Sequence, residues 1–445
     1  MHAASWPPAP AHCELPSPTA GTLALAAPED DAAVATASSA AVIDLESRSG
    51  NARPIDFTTS HGVAPTTRLP LRPLCGTYLG PCGSGGNGRE WGRGSIRMAA
   101  IQETVHARVG LLGNPSDGYN GCCCSFSLSN FSATVTCTPS SSLVFVPHPV
   151  GDSTEFSSLS QLKHKLDTQG FYGGVRLMQA TAKVFFEWCE RTGTHLPSSS
   201  NFTLSYNSDI PRQAGLSGSS AICAATLACL LRFYGLGDRV PLQERPGVVL
   251  AAEAALGITA GLQDRVIQVY GGLVAMDFES AHMAAHGHGR YERLDTALLS
   301  PARLQGGSLH VLYADNPSDS GRVHADVRAR WLAGDPVTRA CMEGVAQCAR
   351  DGRVALERGD AAELARLIDQ NFDLRRRMFG DEALGAENLA MVALARSEGC
   401  AAKFTGSGGA ALVFCPQGQA QAARLASLAE PRGWVLVRAH VGKQR

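Results

Sequence analysis

The run IPRQAGLSGSSAICAATLACLL, Ile210 to Leu231, decides the reading of this chain. It is a small-residue loop that turns directly into an apolar helix, read from Ala221 to Tyr234. Gly215, Ser217, Gly218, Ser219 and Ser220 carry almost no side-chain bulk. Their backbone N–H groups can therefore approach a ligand closely, and glycine tolerates positive φ. The helix aims its unpaired first-turn amides and the positive end of its dipole at whatever the loop holds, which favours an anion, most often a phosphate. The hydroxyls of Ser219 and Ser220 add donors, or a ligand for the magnesium that travels with ATP. Taken alone, the run also fits a serine-capped helix after a flexible loop, so the flanking segments have to decide.

Upstream, ARVGLLGNPSDGYNG (Ala107 to Gly121) is an apolar strand ending in a polar turn with Asn114, Ser116, Asp117, Tyr119 and Asn120. Such a cluster suits recognition of a sugar hydroxyl by hydroxyl, and it is also ordinary turn chemistry. Arg108 interrupts the apolar strand, either as an edge residue or as an inner cation that pairs with a carboxylate. Downstream, AAEAALGITAGLQDRVIQVYGG (Ala251 to Gly272) places Glu253 on a helix and Asp264 beyond the Gly257–Gly261 loop. A lone carboxylate is usually just solvated. Two of them converging on a phosphate loop suit phosphoryl transfer, where one holds Mg²⁺ and the other takes a proton from the attacking hydroxyl. Arg108 beside Asp264 would keep that aspartate ionised and oriented. A fourth segment, KFTGSGGAALVFC (Lys403 to Cys415), offers Gly406, Ser407, Gly408 and Gly409, room for a ligand or simply a tight β-turn.

Bulk properties narrow the class. The chain has 445 residues and a net charge of −1, with no basic field to hold nucleic acid or an anionic membrane. A hydrophobic content of 44% supports a real core. No apolar run approaches the ~20 residues that span a bilayer. The fourteen cysteines include no C-x-x-C pair, which speaks against zinc or redox chemistry and for reduced thiols in a cytoplasmic protein. Residues 1–98 are rich in Ala, Pro, Ser and Gly and contain no Lys, so a disordered extension is expected there. An organelle-targeting role is the other reading of that stretch, against which the acidic cluster Glu29-Asp30-Asp31 counts. From Glu103 onward, strands are read at Val105–Leu112, Phe126–Cys137, Ser142–Val146, Asn201–Tyr206, Leu273–Phe278 and Leu309–Tyr313. Long amphipathic helices follow at Asp335–Glu357, Ala361–Met378 and Leu384–Glu398. Strands and helices mix without a βαβ repeat, which predicts an α+β architecture in two lobes.

In their shared order the four segments resemble the GHMP kinase superfamily. Its phosphate motif P-x-x-x-G-L-G-S-S-A is similar to P-R-Q-A-G-L-S-G-S-S-A, Pro211 to Ala221, with one extra residue at Ser217 or Gly218. Its first motif matches Arg108 and Gly113–Asn120, with Asn114-Pro115 where the family carries Glu-His. Its glycine-rich last motif matches Lys403–Gly409. The strings RVGLLGNPSD, GFYGGVRLM, AGLQDRVIQVYGGLV, ADNPSDSG, RRRMFGDE and KFTGSGGA are closer still to those of plant glucuronokinases.

The resemblance implies a ribosomal-protein-like N-lobe over 101–295 and a ferredoxin-like C-lobe over 296–445. It implies Mg²⁺ as cofactor and ATP as co-substrate, with the γ-phosphoryl passing to the anomeric hydroxyl of D-glucuronate. Asp264 would be the general base and Arg108 its orienting cation. Pro211, Arg212, Gln213, Ala214, Gly215, Leu216, Ser217, Gly218, Ser219, Ser220 and Ala221 would cradle ATP, with Ser220 and Glu253 on Mg²⁺. Asn114, Asp117, Tyr119, Arg265, Gly408 and Gly409 would face the sugar. Selecting a uronate over a neutral sugar requires a cation. Arg265, Arg212, Arg322 and the run Arg375-Arg376-Arg377 are all open for that role, the run reading equally as a solvated helix face. A 1-kinase for galactose or arabinose, or a sugar sensor on the same fold without catalysis, remain as alternatives.

Overall fold

The computed structural model describes residues 99–169, 173–258, 260–314 and 324–445. The expected extension over 1–98, Arg322 and most of the ADNPSDSG string lie outside the described residues.

Two sheets organise the chain. The first has six strands: β1 (Ile101–Leu112), β2 (Cys122–Ser140), β3 (Val144–Phe145), β4 (Asn201–Ser208), β5 (Leu273–Asp277) and β6 (Arg290–Leu294). Residues 133–137 of β2 pair with β1 and β4 at once, and residues 124–126 with β1 and β5. The long strand β2 is therefore the spine of the sheet, and β1 runs along its edge. The second sheet is antiparallel, built from β7 (Ser308–Ala314), β8 (Ala401–Phe404), β9 (Ala410–Cys415) and β10 (Trp434–Arg438) in the order β10-β7-β9-β8. Every residue of β8 and β9 is buried, which is why AALVFC reads as a continuous apolar run rather than an alternating one.

The first half carries α1 (Leu159–Gln169), α2 (Gly174–Arg191), α3 (Gly218–Phe233), α4 (Arg245–Ala254), α5 (Gln263–Tyr270) and α6 (Ser280–His286). The second half carries α7 (His324–Leu332), α8 (Pro336–Arg358), α9 (Ala361–Phe379), α10 (Asp381–Leu384), α11 (Ala386–Ser397) and α12 (Gln419–Ala429). Helix α3 is buried nearly all round, as its uniformly apolar sequence requires. Helix α8 shows clear start and stop chemistry. Asp335 accepts the Thr338 N–H at 2.7 Å, Pro336 opens the first turn, and Gly359 closes the helix at φ +69°.

Helices α5 and α6 and strands β6 and β8 are not visible in the sequence, each being eight residues or fewer and too short to show a period. The helix expected over Leu384–Glu398 is broken at Gly385, whose φ of +81° separates α10 from α11. One apolar cluster runs from Val105 and Val135 in the first sheet to Leu412 and Phe414 in the second. A further cluster around Phe372, Met391 and Val413 lies in the second half. No helix among the described residues is long and apolar enough to cross a membrane.

The edge of the first sheet is where the two halves meet. On β1, the Arg108 N–H donates to the Leu216 carbonyl (3.3 Å) and the Gly110 N–H to the Thr405 carbonyl (3.0 Å). The glycine-serine loop and the turn after β8 thus occupy backbone donors that an edge strand would otherwise leave open.

Candidate active site

The loop before α3 is anchored by apolar side chains. Ala214, Leu216 and Ala221 are buried, so they contribute packing and backbone rather than side-chain contacts. Pro211 is half-buried, and the exposed Arg212 donates to the Gly151 carbonyl at 3.2 Å. Gln213 and Gly215 have φ of +55° and +63°. A Cβ on Gly215 would strike the Gly408 carbonyl, and one on Gly409 would come within 2.5 Å of the Gln213 carbonyl. The two glycine turns are therefore stacked backbone to backbone. Gly408 and Gly409, expected on the sugar, instead pack on the loop, with the Gly409 N–H donating to Asn388 Oδ1 at 2.8 Å.

The extra residue of the motif falls at Ser217 or Gly218, at the start of α3. Ser217 precedes α3 in the left-handed conformation (φ +65°), and its hydroxyl donates to Asp264 Oδ2 at 2.6 Å. Its carbonyl accepts the Ala221 N–H (3.1 Å) and the Gln268 side-chain amide (2.7 Å). The amides of Gly218, Ser219 and Ser220 come before that first helical hydrogen bond, which gives the end of α3 its affinity for anions.

Asp264 sits in the first turn of α5. Arg108 grips it with two parallel hydrogen bonds, Nε to Oδ1 at 2.5 Å and Nη2 to Oδ2 at 2.9 Å, while Nη1 reaches the Gly215 carbonyl at 2.6 Å. One guanidinium thus ties the carboxylate to the loop. Burial alone would raise the Asp264 pKa. The charges of Arg108 and Arg265 and the hydrogen bonds from Arg108 and Ser217 outweigh it and hold the group below the ordinary carboxylate range.

Glu253 has two distinct oxygens. Oε1 accepts the Ser219 hydroxyl at 2.7 Å; Oε2 accepts Arg265 Nε at 2.7 Å and also Arg265 Nη2. Arg265 is 2% exposed and its Nη1 is spent on the Gly261 carbonyl at 2.8 Å. It is bound into this pair and is not available to a sugar, contrary to expectation. The serine facing Glu253 is Ser219 rather than Ser220, whose buried hydroxyl turns back to the Ser217 carbonyl at 3.3 Å. Ser219 Oγ and Glu253 Oε1 form a hard-oxygen pair suited to Mg²⁺. Among the described residues no group of three or more His, Cys, Asp or Glu could hold a metal ion by itself. That donor set matches the usual habit of Mg²⁺, which takes one or two protein ligands and the rest from phosphates and water.

On the opposite side of Asp264, Asp117 accepts the Gln263 N–H at 3.1 Å, at the start of α5. Burial and the neighbouring Asp264 charge raise its pKa to about 6. A carboxyl raised in the folded state adds stability below its unfolded pKa and loses that contribution as pH climbs through the folded value. Asp117→Asn should therefore be more favourable to stability at pH 7 than at pH 4. Urea titrations of both proteins at the two pH values test this, and an equal effect at both would contradict it.

Asn114, expected on the sugar, is buried and engaged within the protein. Its Oδ1 accepts the buried Lys403 ammonium and its Nδ2 reaches the Phe404 carbonyl at 3.4 Å. Lys403 also donates to the carbonyls of Gly110 and Phe404, both at 2.9 Å. Burial, reinforced by the charges of Arg375 and Arg108, pushes that ammonium well below the lysine range. Tyr119 is half-buried and edge-on to Trp331, centroids 5.5 Å apart. The arginine run is not one solvated face: Arg376 pairs with Asp381, but Arg375 is buried. Sequence reading passed over Gln268 and Thr405, whose hydroxyl meets the Gly215 carbonyl at 3.1 Å. Gln268 lies one helical turn after Asp264, a signal that needed α5 to be recognised first.

Comparisons with known proteins identify the family. The description "GHMP kinases N terminal domain" matches residues 176–272, and "GHMP kinases C terminal" matches residues 353–429. Glucuronokinase 1 of Arabidopsis thaliana is 51% identical over 338 residues, 76% of this chain and 91% of the relative. Probable glucuronokinase 2 of the same plant is 51% identical over 331 residues, 74% of this chain and 88% of the relative. The Lactococcus lactis galactokinase structure complexed with galactose superposes at a TM-score of 0.58 with 15% identity, covering 78% of this chain and 95% of that one. The Methanococcus jannaschii mevalonate kinase gives 0.57 with 14% identity, covering 78% and 99%. At those identities the two structures speak for the fold alone, an α+β kinase fold. The chain belongs to the GHMP kinases and, through its curated relatives, to their glucuronokinase branch.

Proposed function

We propose that this chain transfers the γ-phosphoryl group of ATP to the anomeric hydroxyl of D-glucuronate, releasing ADP and D-glucuronate 1-phosphate. The observation that carries the reading is the clasp of Asp264 by Arg108 and Ser217 at the mouth of the α3 loop. It brings an ionised carboxylate next to a ready anion site, the pairing that transfer to an alcohol requires.

The amides of Gly218, Ser219 and Ser220 bind phosphate oxygens and carry the charge that moves toward the leaving group. Ser219 and Glu253 would hold Mg²⁺, which when bound neutralises charge on the β- and γ-phosphates. Asp264 orients the anomeric hydroxyl and accepts its proton as the new P–O bond forms, then releases it to solvent. A carboxylate held this acidic is a weak base. Phosphoryl transfer through a loose transition state tolerates that, because the hydroxyl proton is needed away only once bonding to phosphorus is advanced. Positioning supplies most of the rate. We read residues 101–295 as the nucleotide-binding lobe and 296–445 as the second lobe.

Purified protein given ATP, Mg²⁺ and D-glucuronate should release ADP together with a sugar 1-phosphate. ATP turnover that does not respond to glucuronate, yet does respond to a neutral aldose, would overturn the assignment of substrate.

A further inference from the structure

Discrimination between a uronate and the matching neutral sugar requires a fixed cation that no acid of the protein already neutralises. The arginines near Asp264 divide clearly on that criterion. Arg108 is committed to Asp264 and Arg265 to Glu253. Arg376 pairs with Asp381 at the surface, and Arg212 is exposed beside Gly151.

Arg375 is different. It is 2% exposed, and no ion pair to it occurs among the described residues. Its Nη1 donates to the Gly406 carbonyl at 2.6 Å and its Nη2 to the Ser407 carbonyl at 3.1 Å. The guanidinium carbon lies 5.2 Å from the centre of the Phe379 ring and 5.3 Å from that of Phe404. Among the described residues its buried Nε has no hydrogen-bond acceptor. The protein therefore fixes this cation by two carbonyls and two aromatic rings while leaving one N–H of the Nε edge unmatched. That is an expensive arrangement unless something else meets it.

The location fits. The Gly406 that Arg375 holds lies directly against the clasp: a Cβ there would come within 2.6 Å of both Arg108 Nη2 and the Gly215 carbonyl. Asp117 and Tyr119 act on Arg375 electrostatically.

We propose that Arg375 is the specificity-determining residue that receives the carboxylate of the sugar acid, through its Nε edge. The proposal rests on the reading of the chain as a glucuronate kinase. It separates the two anions of the reaction: phosphate at the end of α3, carboxylate at α9.

The test is Arg375→Gln beside Arg375→Lys, with steady-state kinetics on D-glucuronate, on D-glucose as the neutral counterpart, and on ATP. Arg375→Gln should raise KM for glucuronate about 10- to 100-fold, the scale of a lost charge-assisted hydrogen bond. It should leave kcat/KM for glucose and KM for ATP within about twofold. Arg375→Lys, which keeps the charge and loses the fork, should fall between. Calorimetric titration of glucuronate into each variant without ATP should show the same order, and a cooperative thermal melt confirms that each is folded. Equal losses on both sugars, or a rise confined to KM for ATP, would overturn the proposal in favour of a structural or phosphate-binding arginine. A wild-type protein that prefers glucuronate and keeps the preference in Arg375→Gln would overturn this inference alone. A wild-type protein with no preference for glucuronate would overturn the functional reading, and this inference with it.

Discussion

Asp264→Asn will leave a folded, nucleotide-binding protein that turns over about 10²- to 10⁴-fold more slowly, the range for loss of a general base. Asparagine has nearly the same shape, so α5 and its packing are retained. What changes is chemistry. The amide cannot accept the sugar proton, and wherever its NH₂ meets the Arg108 fork it presents a donor to a donor. Arg108 then keeps the Gly215 carbonyl and one amide oxygen in place of its three present acceptors, and the two-pronged aim of the clasp is lost together with its charge. Binding of ATP, which we assign to the α3 amides, should change by only a few-fold. Rate measured at saturating sugar and ATP, with nucleotide affinity measured separately, distinguishes the two effects. Turnover within a few-fold of wild type would remove Asp264 from the reaction.

The largest stability effect should come from Glu253→Ala. Its carboxylate is fully buried and is the acidic partner of the equally buried Arg265 at hydrogen-bond distance. Removing Glu253 leaves the buried Arg265 with Asp264, 3.7 Å away, as its remaining acidic neighbour, at a cost of up to about 3–5 kcal/mol. That is a large share of the roughly 5–15 kcal/mol that holds an ordinary domain together. Restoring neutrality should recover much of the loss: Glu253→Ala with Arg265→Met should be more stable than Glu253→Ala alone. Urea midpoints of the three proteins check this, and a single variant as stable as wild type would mean that the buried pair is not what it looks like. Activity should fall in both variants, because Ser219, which we assign to the phosphate site, loses its partner Glu253.

The chemistry of the site was legible where it is local in sequence. The loop from Pro211 to Ala221 announces itself by composition, and Arg108 stands out because a charge in an apolar strand needs a partner. The α+β class followed from the absence of a βαβ repeat, and the chain's relatives bear out the glucuronokinase resemblance. Partnerships across the chain were not legible. Neither the choice of Ser219 over Ser220 opposite Glu253, nor the pairing of Arg265 with Glu253, can be deduced from spacing. They depend on the packing of α5 against α3 and α4. Asn114 looked like a ligand contact because it sits in a polar turn, yet Lys403, 289 residues away, claims it. Arg375 was hidden for the opposite reason. Three consecutive arginines look like surface, and only the burial of one face of α9 separates the first from the other two.

Strand β1 serves as a common datum for the reaction. The donor side of the chemistry is indexed to it at residue 108 and the turn from the second half at residue 110, two steps and roughly 7 Å apart along a single backbone. Each half can drift in sequence on its own, but a slip of this strand by one position would misalign nucleotide and sugar together, and no repair confined to either half could bring them back into line.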